Sequence, residues 1–423
     1  MLKVVFKSVG TSLLTVLLGF IYSVIIARAL GPEGRGIVGT ALMTTVLIAG
    51  FAQMGLAQGF IYHRRHTERF SIPLLIKASF IVTAITACLV LFTDLFLLPE
   101  ELIPYRHIWF TLAFVTALQL FFQNSVQIDK SLNTYNLAKF LTPTSNILGL
   151  GALVMLGTGQ VSVENVIIIG TIALAIACLL QAFKTFSHEI AYSDLSKLPL
   201  RETVPYSIKV YGTSLTGICI NSFDKVILLI LGSMTDFGLY VVAYGISRLA
   251  GIVPDTIATV TYSRFAGKDS EELRAFTNRA FTALFLPLLL VAAVVASFAP
   301  WLIPFVFGND YSLAVIPFVL LLFECILSST SWLLAQRFNA IGKPGLVLLR
   351  QLLSLIPLFT LPFILTGFSP IIALSIAMLA SAVLRIAVTL VMYKRSLGES
   401  LPNFVPSTQE IGYLRSLITK TSA

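Results

Sequence analysis

Few residues of this sequence can do chemistry, and most of them stand inside long apolar runs. Arg248 lies in a stripe with Tyr244, Gly251 and Asp255 at helical spacing, and Glu324 is central to a later run with Ser328 and Ser331 on its face. Asn221 and Asp224 are three apart and share a face with Gly217. Lys225 is rotated by about 100° from Asp224, so this neighbouring pair is expected to point apart. Thr116, Gln119, Gln123 and Gln127 form another stripe with Asn124 beside them, and Arg28 stands near the end of the first run. An ionisable group at mid-bilayer costs about 2.5–3.5 kcal/mol on insertion scales, so it normally faces a cavity or a partner. Arginine binds phosphate through forked hydrogen bonds, and a carboxylate that changes protonation can couple movement to an ion gradient. The expected substrate cavity therefore holds Arg28, Gln119, Gln123, Asn124, Asn221, Asp224, Lys225, Tyr244 and Arg248, with Asp224 and Glu324 as the ion-coupling acids. The plainer readings are that Arg28 snorkels to headgroups, the glutamines bind helix to helix, and Asp224 and Lys225 pack between helices.

Nothing in the sequence points to an enzyme. There is no Gly-rich phosphate loop ending in Lys-Ser/Thr. The histidines His63, His66, His107 and His188 fall at the ends of apolar runs, and Cys88, Cys178, Cys219 and Cys325 lack metal-like spacing. No metal and no cofactor are expected. The net charge of +9 reads as membrane orientation, with no nucleic-acid partner.

The elements that must hold these residues are set by composition. The chain has 423 residues, is 57% hydrophobic and 12% charged, and its mean hydropathy is +0.90. That is too little charge for a soluble surface, and the apolar runs are helix-length rather than short and alternating. Spans are expected at about 8–30, 37–62, 72–98, 106–128, 137–157, 161–183, 204–232, 237–262, 280–299, 314–338, 345–367 and 369–393. Lys3 and Lys7 precede a run too long for a signal-peptide core, which reads as the first span. Pro300 to Asp310 is apolar but proline-broken and reads as a short interfacial stretch. With the N-terminus in the cytoplasm, outer segments hold only Arg28, Arg35 and Arg106, while Lys225 and Arg248 lie within spans. All the rest of the 29 Lys and Arg, Arg350 and Arg385 included, then count as inner, which places both termini in the cytoplasm.

The two halves echo each other at an offset of roughly 200 residues, as parallel transporter repeats do. Leu30-Gly31 and Gly36-Ile37 match Leu231-Gly232 and Gly238-Leu239; Tyr62-x-Arg64 matches Tyr262-x-Arg264; Leu102-Ile103-Pro104-Tyr105 matches Leu302-Ile303-Pro304-Phe305. The expected organisation is an N-terminal six-helix lobe over 1–183, a cytoplasmic linker over 184–203, a C-terminal six-helix lobe over 204–393, and a tail over 394–423. The linker is marked by His188, Glu189, Ser193, Asp194 and Ser196. In the tail Ile411, Leu414, Leu417 and Ile418 beside Arg415 and Lys420 read as an amphipathic helix on the inner membrane face. The fold class is thus an all-α membrane protein of about twelve transmembrane helices in two lobes around a central cavity.

The run Ala27-Arg28-Ala29-Leu30-Gly31-Pro32-Glu33-Gly34-Arg35-Gly36 resembles the opening signature of the polysaccharide-transporter branch of the multidrug/oligosaccharidyl-lipid/polysaccharide exporter (MOP) superfamily. Gln53-Met54-Gly55-Leu56, Asp224-Lys225-Val226-Ile227-Leu228, Gly238-Leu239-Tyr240 and Ala243-Tyr244 continue the resemblance. So do Phe307-Gly308-Asn309-Asp310-Tyr311-Ser312 and Asn339-Ala340-Ile341-Gly342-Lys343, so that it covers essentially the whole chain. One departure lies at Gly367 to Ala373, where that family often has a Gly-rich turn; the start of the last helix is left open there. The resemblance, which is to the O-antigen (Wzx-type) flippases, implies two six-helix lobes and cationic cavity residues, a role that Arg28 and Arg248 fit. It also implies export of undecaprenyl-pyrophosphate-linked oligosaccharide repeat units to the periplasmic face of the cell inner membrane. Alternating access is the expectation from the parallel repeats, and coupling to an ion gradient the expectation from the intramembrane acids. The expected partners are that lipid-linked substrate and membrane lipids, with polysaccharide polymerase or assembly proteins as further candidates. Rival readings are a drug/cation antiporter, disfavoured because residues 8–30 hold no Asp or Glu, and a lipid II flippase, whose kind resembles fourteen-span proteins. A membrane scaffold is the non-transport alternative.

Overall fold

The computed structural model describes residues 2–66, 72–128, 133–155, 161–190, 222–265, 271–398 and 401–405, with parts of 203–218. Among these residues every regular element is a helix. Asn221, most of the linker and the amphipathic stretch of the tail lie outside the described residues.

The first expected spans form one long helix, α1 (Leu2–Ala52), broken by backbone alone at Gly31 (φ 67°, ψ −178°) ahead of Pro32. Gly31 tolerates the left-handed φ, and the missing N–H of Pro32 restarts the helix. The second span finishes in α2 (Leu56–His66) after a turn in which Met54 (φ 45°) and Gly55 (φ 67°) are both left-handed. Helices α3 (Ile72–Phe96), α4 (Arg106–Ser125), α5 (Asn133–Met155) and α6 (Val163–Ile190) follow. The described end of the seventh span is α7 (Phe223–Leu231).

The eighth span is interrupted. Helix α8 (Met234–Ser247) passes through a 3-10 turn, Arg248–Gly251, into α9 (Ile252–Phe265). Helix α10 (Glu271–Phe307) takes in the stretch expected to be interfacial. Pro300 and Pro304 sit inside it without ending it; the break comes at Gly308 (φ 106°), before a 3-10 segment Asn309–Ala314. Proline is tolerated within membrane helices because neighbouring groups satisfy the freed carbonyls. Then come α11 (Val315–Ala340), α12 (Pro344–Ile364) and α13 (Pro370–Ser396). The start left open by sequence is settled by Ser369, extended at φ −60°, ψ 148°, with Pro370 at the first helical position.

Nine described helical stretches are long and apolar enough to cross a membrane, the first of them being two expected spans joined at Gly31. Phe80, Leu95, Leu148, Met155, Leu179 and Ile230 point outward into what must be lipid, since water would penalise each. The protein is a multi-pass helical membrane protein.

Two compact units divide the chain, residues 1–238 and 239–423. In the first, α4 packs on α1, α3 and α6, and α5 lies on α1 and α6. Its core holds Trp109, whose indole N–H donates to Thr44 Oγ1 at 2.9 Å, and Gln53, whose Nε2 donates to the Ala117 carbonyl at 2.9 Å. The α7 end of the seventh span belongs to this unit rather than to the second half. The first turn of α8 is tied to the same unit by close backbone packing: a Cβ on Gly36 would lie 1.8 Å from the Met234 carbonyl oxygen, and one on Gly238 would lie 1.8 Å from that of Pro32. Tyr211 reinforces it by donating its hydroxyl hydrogen to the Phe51 carbonyl at 2.6 Å. In the second unit α11 is central, with α9, α10, α12 and α13 packed around it. Phe281 of α10 and Tyr393 of α13 are fully buried with Leu334 and Phe338 of α11.

Candidate functional site

A continuous polar seam runs through the second unit, built from residues one helical turn apart on three helices. On α11 these are Glu324, Ser328 and Ser331; on α12, Arg350 and Ser354; on α13, Arg385 and Thr389. The spacing read from sequence on α11 is thus the face that turns inward.

Arg248 Nη2 makes an ion pair with Glu324 Oε2, joining positions far apart in the chain. Its side chain is 31% exposed and that of Glu324 only 3%. The guanidinium also lies over the Tyr244 ring, 4.3 Å from the centroid, a cation–π contact from the preceding turn. Ser328 donates to Glu324 Oε1 at 2.7 Å, so each carboxylate oxygen has a partner. Arg385 Nη1 in turn donates to Ser328 Oγ at 3.2 Å, and its Nε to Ser354 Oγ at 3.2 Å. Arg350, 1% exposed, donates to Ser331 O at 3.1 Å, Ser331 Oγ at 2.6 Å and Thr389 Oγ1 at 3.0 Å. Thr389 passes its own hydrogen to the Arg385 carbonyl at 2.7 Å, which closes the seam. Gly251 brings the 3-10 turn against α11: a Cβ there would meet Cys325 Sγ at 3.0 Å and Asp255 Oδ2 at 3.3 Å.

The bonded seam holds three guanidiniums and one carboxylate. Asp255, exposed beside Gly251, makes no ion pair within 4 Å among the described residues, and even with it counted the charge stays positive. A buried cation is costly unless it is compensated. The seam is therefore suited to an anion.

Of the expected cavity residues Tyr244 and Arg248 are brought together here, with Glu324, expected as an ion-coupling acid. Arg28 is exposed on α1, and Gln119, Gln123 and Asn124 are half-buried on α4, all in the first unit. Gln127 Nε2 reaches Asn124 Oδ1 and the Gln123 carbonyl, each at 3.4 Å, from the 3-10 turn after α4. Asp224 and Lys225 were expected to point apart and do not. Lys225 Nζ donates to the Asp224 carboxylate at 3.1 Å. The Cβ directions do diverge, but the four-carbon lysine stem is long enough to curl back around the first turn of α7.

Sequence reasoning missed Arg350 and Arg385. Both enter the sequence reading only through the charge asymmetry, and the structure places both inside α12 and α13 as part of the seam. Their signal was present: each falls within an expected span, where a charge calls for a partner.

With this geometry in place, similarity to known proteins gives the class. A multidrug resistance MATE family transporter of the MOP superfamily in its inward-facing conformation has TM-score 0.66 at 15% identity, over 91% of this chain and 94% of that one. The lipid II flippase MurJ, inward closed, has TM-score 0.71 at 13% identity, over 91% of this chain and 86% of that one. An outward-facing MATE family transporter has TM-score 0.62 at 18% identity, over 94% of this chain and 97% of that one. The fold is that of MOP transporters. No curated protein matches the chain. Residues 1–268 match the polysaccharide biosynthesis protein family, and the chain belongs to that family.

Proposed function

We propose that this protein is a flippase that carries undecaprenyl-pyrophosphate-linked oligosaccharide repeat units from the cytoplasmic to the periplasmic leaflet of the cell inner membrane. The single observation that carries the reading is the cationic seam in the second unit, centred on the Arg248–Glu324 pair, in a member of a polysaccharide biosynthesis family. Arginine matches a pyrophosphate by forked hydrogen bonds, and the surrounding hydroxyls suit a polar sugar chain. Two lobes, 1–183 and 204–393, work by alternating access with both chain ends in the cytoplasm. Glu324 and Asp224 are the acids through which an ion gradient would drive the cycle. No step of this cycle makes or breaks a covalent bond, so the protein acts as a carrier and not an enzyme.

The test is the surface polysaccharide of cells carrying Arg248→Ala. Loss of display with unchanged membrane abundance is the expected result; normal display overturns the reading. Drug extrusion that depends on Arg248 while polysaccharide is unaffected would favour an antiporter like the MATE neighbours.

A further inference from the structure

One feature of the seam exceeds what an ion pair needs. Glu324 is a single carboxylate with two arginines on it: Arg248 directly, and Arg385 through Ser328. Stripping the only counter-ion from a buried carboxylate is strongly destabilising. With a second cation one hydroxyl away, however, the first can leave.

The two arginines differ in the way this requires. Arg248 is placed to move. It opens the 3-10 turn that interrupts the eighth span, its side chain is 31% exposed, and its Nε has no hydrogen-bond partner among the described residues. Such turns within helices often mark hinges. Arg385 is held, by Ser354 at its Nε and Ser328 at its Nη1, from neighbouring helices. Behind it Arg350, locked on Ser331 and Thr389, adds a like charge that repels the Arg385 guanidinium.

We propose that Arg248 is a shuttle that exchanges Glu324 for a phosphate-bearing anion, and that Arg385 is the standby counter-ion that keeps Glu324 compensated while Arg248 is away. This deepens the proposed function, on which it rests, by assigning the anion's first contact and the residue that makes the contact reversible. In the resting seam Arg248 pairs with Glu324. When the anion arrives, Arg248 turns its fork to the phosphate oxygens, and Ser328 keeps Glu324 linked to Arg385. Arg385 touches no substrate; it is a positioning residue.

The exchange makes a prediction that ordinary packing does not, because removing Glu324's charge should make Arg385 dispensable. Binding of inorganic pyrophosphate to the purified full chain in phosphatidylcholine nanodiscs is the measurement. Relative to the unchanged protein, Arg385→Gln should weaken binding roughly tenfold and Glu324→Gln should strengthen it by a similar factor. The double variant Glu324→Gln/Arg385→Gln should bind like Glu324→Gln alone, and Arg385→Lys should stay near the unchanged protein. Additive effects in the double variant overturn the proposal, as does Arg385→Gln binding normally or the absence of binding to the unchanged protein. Should Glu324→Gln fail to stay monodisperse, Arg385→Gln against Arg385→Lys decides: equal affinities overturn the exchange. Repeating the titration in phosphatidylglycerol nanodiscs separates the two sources of phosphate. Unchanged affinity assigns the seat to the soluble diphosphate, weakened affinity shows that lipid headgroups share it, and either supports the exchange. Failure here leaves intact the separate question of whether Arg248→Ala abolishes polysaccharide display.

Discussion

Arg350 shows how a single side chain can tie a membrane bundle together. Its guanidinium joins α11, α12 and α13 through Ser331 and Thr389, and it rests against Trp332, 5.6 Å from the ring centroid. Arg350→Ala would empty that volume and break three buried hydrogen bonds, a loss of about 2–5 kcal/mol. Thermal unfolding in detergent should show a clearly lowered midpoint; an unchanged midpoint would mean that the other helix contacts suffice. At this scale the sequence was informative where chemistry and spacing agreed. Glu324, Ser328 and Ser331 recur at helical intervals, so their common face was readable, and the cost of burying Arg248 marked it out. What pairs with what was not readable, because Arg248 and Glu324 meet only through tertiary packing. Arg385 was overlooked as a site residue because charge asymmetry assigns a cation to a side of the membrane and says nothing of its partners within the bundle. Lys225 was misjudged because helical rotation fixes where a stem starts and says nothing of where a long one ends.

Elements were legible in length and blurred at their joints. Apolar runs gave the spans, since each backbone polar group in lipid must be satisfied within a helix. Joints depend on single dihedrals. Gly31 breaks α1 at a single left-handed residue, Pro304 failed to stop α10, and the 3-10 turn at Arg248–Gly251 has no mark in the apolar pattern. Close approaches are the other hidden feature. A methyl on Gly36 would lie 1.8 Å from a carbonyl oxygen, which backbone cannot yield cheaply. Gly36→Ala should therefore push α1 from α8 and lower the amount of folded protein, whereas Gly10→Ala, with open space around it, should not. Fluorescence-detected size exclusion of the two variants compares them directly, and equal monodisperse peaks would refute the packing argument.

For the molecule as a whole, the distribution of Lys and Arg carries the proposed orientation. Cysteines placed at residue 3 and residue 420 should both react only with membrane-permeant reagent in intact cells. Labelling of one end from outside would contradict an even number of crossings. The helical class and the family were readable from the chain, whereas the grouping of α7 with the first unit was not, because no local pattern reports which neighbour a helix chooses. The turn that follows α7 joins the same unit at the glycines Gly36 and Gly238, which occupy matching places in the internal repeat. The Pro32–Gly36 turn and the Met234–Gly238 turn press on each other reciprocally, the oxygen that opens each one against the glycine that closes its counterpart. The contact is thus isologous, like the seam of a two-fold dimer, although both sides belong to one polypeptide. Neither glycine can gain a side chain without striking its own duplicate, so the two positions behave as one site written twice.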